Sequence, residues 1–165
     1  MHEDVIWPAD KTALYSLLTA QLSSLVDGLS LPLPALANAA ALLWEAMPDI
    51  NWAGFYLRKG DTLYLGPFQG KVACTVILFG RGVCGTAAQT GALQLVPDVH
   101  LFPGHIACDS ASNSEIVLPL VVHGEVIGVL DIDSPLFNRF DQQDADGLSQ
   151  FAGVLTSQLN WSSLL

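Results

Sequence analysis

The sequence predicts an α+β fold, a single antiparallel sheet with helices packed on it. Apolar residues recur at helical spacing near both ends of the chain, while short aromatic or β-branched runs fill the middle. Two pairs of those runs are joined by tight turns, Gly60-Asp61 and His123-Gly124. Hairpins in the middle with helices gathered at the ends form a sheet covered by helices. At 165 residues the chain reads as one domain, residues 1–165.

The elements follow in order. Leu14, Leu17, Leu18, Leu22 and Leu25 keep a helical period over Lys11 to Val26. Asp10 suits the N-cap and Gly28 the stop. A second helix runs from Leu36, just after Pro34, to Met47 and ends at Pro48. The period then changes. Trp52 to Arg58 is short and aromatic-rich, as strands are, and Thr62 to Phe68 is its return strand. Cys74 to Leu78 reads as a short strand or an irregular segment. The glycine-rich run Gly80 to Gly85 leads into a helix at Thr86 to Gln89, closed by Gly91. After a strand at Leu93 to Val96 comes a polar loop, Pro97 to Asn113. At about 17 residues that loop is far longer than ordinary connections, and such loops are commonly functional. Glu115 to Val122 and Glu125 to Asp133 form a hairpin. Ile127 to Asp133 is apolar at nearly every position, which predicts a central strand. A last helix begins near Asp141, Asp144 and Asp146 and runs to about Leu159. Acidic residues there suit the positive end of a helix dipole.

Composition excludes several classes. Hydrophobic residues make up 51% and charged residues 13%, which excludes intrinsic disorder. The net charge is −10, with six Lys and Arg in all. Nucleic acid and anionic membrane both require basic patches, so neither is an expected partner. The longest apolar helix candidate, Ala35 to Trp44, is about half a membrane span and contains Asn38. The start, Met1-His2-Glu3-Asp4, lacks leader character, so the expected location is the cytoplasm. Three cysteines, an odd number, argue against a secreted disulfide framework.

Those cysteines, Cys74, Cys84 and Cys108, show no CxxC spacing and so no zinc-ribbon or thioredoxin-type signature. Each could be a small buried hydrophobe. Cys84 lies in a glycine-rich turn at a helix start with Arg81 nearby, features that lower a thiol pKa. Cys108 lies between His105 and Asp109 in the long loop, where reactive groups are commonly displayed. The acids form a second constellation. Asp131 and Asp133 share one face of an apolar strand. Their burial is costly unless they meet a cation or share a proton. Pairing about Gly124 brings Glu115 near Asp133, so three carboxylates converge. They suit a hard metal or a ligand ammonium, and mutual repulsion raises at least one pKa into the range of a general acid. Trp52 and Tyr56 share a strand face and are either core residues or a pocket wall. His100 and His105 have no metal-ligand spacing.

Several segments together carry a family resemblance: Asn51-Trp-Ala-Gly-Phe-Tyr56, Gly66-Pro-Phe-Gln-Gly-Lys-Val-Ala-Cys74, Gly80-Arg-Gly-Val-Cys-Gly85, Phe102-Pro-Gly-His-Ile-Ala-Cys-Asp109, Ser114-Glu-Ile-Val117 and Gly128-Val-Leu-Asp-Ile-Asp-Ser-Pro135. Over about Asn51 to Ser134 the chain resembles the GAF-domain family, and within it the free methionine-(R)-sulfoxide reductases. The resemblance implies a six-stranded antiparallel sheet, a homodimer, and reduction of free methionine (R)-sulfoxide with thioredoxin as reductant. It implies no cofactor and no metal. Carried onto this chain, it makes Cys108 the nucleophile, Cys84 its main resolving partner and Cys74 a further thiol in the exchange. Glu115, Asp131 and Asp133 bind substrate polar groups, and Trp52 and Tyr56 line the pocket. Local electrostatics alone would have made Cys84 the reactive thiolate; the resemblance favours Cys108. Two other classes compete: a GAF domain that senses a small ligand without turnover, and a metal-dependent enzyme built on the three acids and a loop histidine.

Overall fold

A computed structural model describes residues 4–165; Met1, His2 and Glu3, read above for leader character, lie outside the described residues. Four helices are α1 (Lys11–Val26), α2 (Pro32–Ala46), α3 (Gly82–Thr90) and α4 (Gln142–Gln158). Six strands are β1 (Trp52–Lys59), β2 (Thr62–Gly70), β3 (Val76–Leu78), β4 (Gln94–Val96), β5 (Ser114–Val122) and β6 (Glu125–Ser134). They form one sheet in the order β3-β2-β1-β6-β5-β4, antiparallel at every pairing. The expected α+β class and six-stranded antiparallel sheet are therefore observed. β6 is central, as its apolar run predicts.

Strand alternation sorts the sheet into two faces. Ala53, Phe55, Ile116 and Ile132 point to one face and form the main core with α1, α2 and α4. Trp52, Tyr56, Val117 and Val129 point to the other, where α3 packs and buries Val83, Cys84 and Ala87. The first face is almost wholly apolar. The second carries Glu115, Asp131 and Asp133.

Three local departures from the sequence reading have physical causes. α2 begins two residues before Pro34, at Pro32, because a proline at N1 lacks only an N–H that has no helical partner anyway. α3 begins at Gly82 rather than Thr86. Gly82 takes φ +62°, and a side chain there would press on Ile106 at 3.1 Å, so the glycine run is itself the first turn. The loop before β5 is not featureless: Val99–Leu101 forms a 3-10 turn capped by Asp98, whose side chain accepts from the His100 N–H. No described helix is long and apolar enough to cross a membrane, and Ala35 to Trp44 lies within α2.

Candidate active site

The cleft lies against the α3 face of the sheet and is bordered by Trp52, Tyr56, Cys84, Cys108, Glu115, Asp131 and Asp133. Seven of the eight residues singled out from the sequence thus meet in one place. The eighth, Cys74, is reached through a covalent bond: Cys74 and Cys108 are joined in a disulfide, with Cα atoms 5.5 Å apart. Cys84 is free and buried. The bonded pair differs from the Cys84–Cys108 partnership that the resemblance implies.

Register brings the acids together. Glu115 on β5 and Trp52 on β1 both pair with Asp133 on β6; Val117 and Gly54 pair with Asp131. Gly54 is required here, because a Cβ would lie 2.3 Å from that of Phe68 on β2. Glu115 and Asp131 are each 6% exposed, and Asp133 is half-buried. Among the described residues no Lys or Arg pairs with any of the three. The nearest approach is His105 Nε2, 3.8 Å from Glu115 Oε2. Burial lowers the pKa of that histidine, with a further push from His100. Asp131 Oδ1 is buried without a hydrogen-bond partner.

The electrostatics follow from burial. Desolvation pushes Glu115 well above the ordinary carboxyl range, and the Asp131 and Asp133 charges push it further. Asp133 is raised by burial, then by the Asp131 and Asp109 charges. Asp131 rises to about 6 by burial, with hydrogen bonding from Glu115 and Cys84 pulling it back. Burial thus favours the protonated form of all three acids.

Cys84 corrects a sequence expectation. Arg81 and the helix start argued for a lowered thiol pKa. The thiol is instead pushed well up, first by burial and then by Asp131, Glu115 and Asp133. Arg81 is exposed, and solvent screens its charge. The Cys84 Sγ lies 3.9 Å from Glu115 Oε1. A buried thiol among carboxylates stays protonated.

The start of β1 holds both halves of the disulfide. Trp52 stacks on Tyr56 and Phe68 at centroid distances of 5.8 and 5.2 Å. The Trp52 indole donates to the Lys71 carbonyl at 3.2 Å, and the Tyr56 hydroxyl to the Cys74 carbonyl at 2.9 Å. These bonds fix the segment that carries Cys74. Asn51 fixes the other half: its Nδ2 donates to Asp109 Oδ2 at 3.0 Å and to Ser112 Oγ at 3.1 Å. Sequence reasoning assigned Asn51 no task. Its only signal was its place immediately before the aromatic strand. Of the two loop histidines, His105 borders the cleft, whereas His100 bonds Asp98 at 2.7 Å and packs at a tilt against Phe137.

A GAF domain profile matches residues 17–159. The chain is 56% identical over 150 residues to the free methionine-R-sulfoxide reductase of Escherichia coli, covering 91% of each protein. The chain belongs to the GAF-domain family, among the free methionine-R-sulfoxide reductases. The Saccharomyces cerevisiae free methionine-R-sulfoxide reductase is 51% identical over 128 residues, 73% of this chain and 71% of that one. Among solved structures, the free methionine-R-sulfoxide reductase of Neisseria meningitidis in complex with its substrate superposes with a TM-score of 0.91. It is 46% identical, and the match covers 96% of this chain and 95% of that one.

Proposed function

We propose that this reductase acts on free methionine (R)-sulfoxide through a sulfenic acid at Cys108, resolved by Cys74. One observation carries the reading: the Cys108 side of the Cys74–Cys108 disulfide borders the same cleft as three carboxylates that no described Lys or Arg pairs with. The ammonium of a free amino acid supplies the missing positive charge, with Asp131 and Asp133 as its acceptors. Trp52 and Tyr56 wall the side chain.

A sulfoxide sulfur is a poor electrophile until its oxygen accepts a proton. Glu115, whose burial keeps it protonated, donates that proton. The Cys108 thiolate attacks sulfur, the oxygen passes to the cysteine, and methionine leaves. The enzyme holds a sulfenic acid. The Cys74 thiol condenses with it, water departs, and the Cys74–Cys108 disulfide forms. A thioredoxin dithiol then opens the bond by exchange. Cys84 is buried and held as a thiol, which supports Cys74 rather than Cys84 as the resolving group. The homodimer that the resemblance implies and the cytoplasmic location expected from the sequence belong to the same reading.

The decisive assay couples thioredoxin turnover to NADPH consumption, using the separated R and S sulfoxides of free methionine. Turnover of the R form alone is expected. Absence of turnover with either form would leave the sensor reading in its place. For the roles of the thiols, Cys108→Ser should release no methionine in a single turnover, whereas Cys74→Ser should release about one per enzyme and then stall. Equal stalling by Cys84→Ser would restore Cys84 as the resolving partner.

A further inference from the structure

The redox cycle just described leaves Cys84 idle. Its thiol is buried, unbonded, and 3.9 Å from Glu115 Oε1. One ligand atom each from Cys84, Glu115 and Asp131 lies within 4.8 Å of the other two. A tetrahedral ion with bonds of about 2.0 Å to oxygen and about 2.3 Å to sulfur holds its ligands roughly 3.3–3.5 Å apart. Side-chain adjustments of about 1 Å close the trio to that size. A separate observation also points to a ligand. Asp131 is more than nine-tenths buried, faces the cleft, and its Oδ1 has no partner.

We propose that Cys84, Glu115 and Asp131 form an inhibitory zinc site, a regulation of the cleft that rests on the reductase reading above. Sulfur with two carboxylate oxygens suits a borderline-soft ion, whereas Mg²⁺ and Ca²⁺ take oxygen alone. Zn²⁺ binds Cys84 Sγ and one oxygen from each acid; as these bonds form, the thiol proton and the Glu115 carboxyl proton pass to solvent and no electron changes hands. Three protein ligands leave a fourth position for water. The ion occupies Asp131, one of the two carboxylates that the substrate ammonium needs, and takes the oxygen of Glu115 that would carry the donated proton. Binding of zinc and of substrate is therefore mutually exclusive.

The disulfide form isolates the site, because Cys74 and Cys108 are bonded to each other and cannot ligate. Cobalt in place of zinc should give a thiolate-to-cobalt charge-transfer band that saturates at one equivalent and is reversed by added Zn²⁺. The band should vanish in Cys84→Ser, and cobalt affinity should fall at least about tenfold in Glu115→Gln and in Asp131→Asn. No band in the oxidised wild type, or a band that survives Cys84→Ser, overturns the proposal. So does affinity unchanged in both carboxamide variants, which keep the shape of the site. In a preparation that reduces the sulfoxide, cobalt affinity unaffected by saturating substrate overturns the inhibitory role. Absorbance reads a protein that turns nothing over, so an intact band in an inactive protein would sink the reductase reading and leave the metal site standing.

Discussion

Two clusters of buried carboxylates sit on opposite faces of the same sheet, and they are built in opposite ways. On the α1/α4 side, Asp144 is 1% exposed in its side chain, yet it is surrounded by donors. Lys11 Nζ approaches at 2.7 Å, the Tyr15 hydroxyl donates at 2.7 Å and the Asp141 N–H at 2.8 Å, and Arg139 stands 3.6 Å away. On the α3 side, Glu115, Asp131 and Asp133 face one another, with a half-buried histidine 3.8 Å from Glu115 and an orphaned oxygen on Asp131. Burial of charge is stable only when it is paired and hydrogen-bonded. The first cluster carries its own cations and ties α4 to α1. The second lacks them. A chain that satisfies one buried acid so fully, and leaves three others without a Lys or Arg partner in a cleft beside the Cys74–Cys108 disulfide, has built a staple in one place and, on the function proposed above, a receptor in the other.

The comparison breaks first on a substrate without a charged amine. An N-acetyl, C-amide derivative of methionine (R)-sulfoxide offers the acids a neutral amide in place of an ammonium. Leaving a buried charge unpaired costs about 3–5 kcal/mol, so kcat/KM should fall at least about a hundredfold. Comparable turnover of the blocked and free compounds under the same reductant would show that the three acids are not a cation receptor.

Removing an acid should have opposite consequences in the two clusters. Asp144→Ala strips Lys11, Arg139 and Tyr15 of their shared acceptor and removes half of the capping box with Asp141. Loss of one partner of a buried pair costs roughly 3 kcal/mol, enough to lower the thermal midpoint by about 10 °C in a domain of this size. Activity of the folded fraction should be unchanged, since the cluster lies across the sheet from the cleft. A normal midpoint with impaired activity would reverse the two roles.

In the cleft, Glu115→Gln and Asp131→Asn keep shape and remove charge. Each loses a charge-assisted bond or a proton source worth roughly 1.5–3 kcal/mol, so kcat/KM should fall at least about tenfold. The folded state should not suffer, because these acids repel one another and have no cation to lose. Urea midpoints at or above wild type, beside impaired turnover, are expected. Variants with wild-type efficiency would mean that the acids are only a polar strand end.

How far each cluster was legible in the sequence differs for physical reasons. The receptor was legible because its members lie on adjoining strands, where a period of two and one hairpin at Gly124 place Glu115 opposite Asp133 without further information. Trp52 and Tyr56 followed from the same alternation. The staple was not. Lys11 and Asp144 are 133 residues apart, and no local period links two helices at opposite ends of the chain; Asp141 and Asp144 read only as a favourable helix start. The thiols were misjudged for a related cause. The charge of Arg81 is local and visible, whereas the burial that raises the Cys84 pKa comes from α3 docking on distant β5 and β6. The latch from Asn51 to Asp109 and Ser112 spans about 60 residues and likewise needs the folded loop.

The smallest expected effect tests whether the staple works by charge. Lys11 reaches Asp144 at 2.7 Å and the half-exposed Asp141 at 3.0 Å. Burial lowers the lysine pKa, but hydrogen bonds to Asp144 and Asp141 outweigh it and the net shift is upward. The Lys11 hydrogen bond lowers the pKa of Asp141. A raised folded-state pKa contributes stability that is present below the unfolded value of about 10.4 and fades as pH rises through the folded one. A lowered carboxyl pKa contributes stability present above about 3.9 and lost as pH falls through the folded value. Lys11→Met keeps the stem and removes both effects. Solvent screens the exposed part of the cluster, so the variant should lose only about 1 kcal/mol near neutrality. The gap between the urea midpoints of wild type and variant should be flat from about pH 5 to 9 and should narrow outside about pH 4 and 10.4. A gap that does not narrow at either extreme would mean that Lys11 acts through the packing of its stem, and the contrast between a paired and an unpaired cluster would then rest on Tyr15 and Arg139 alone.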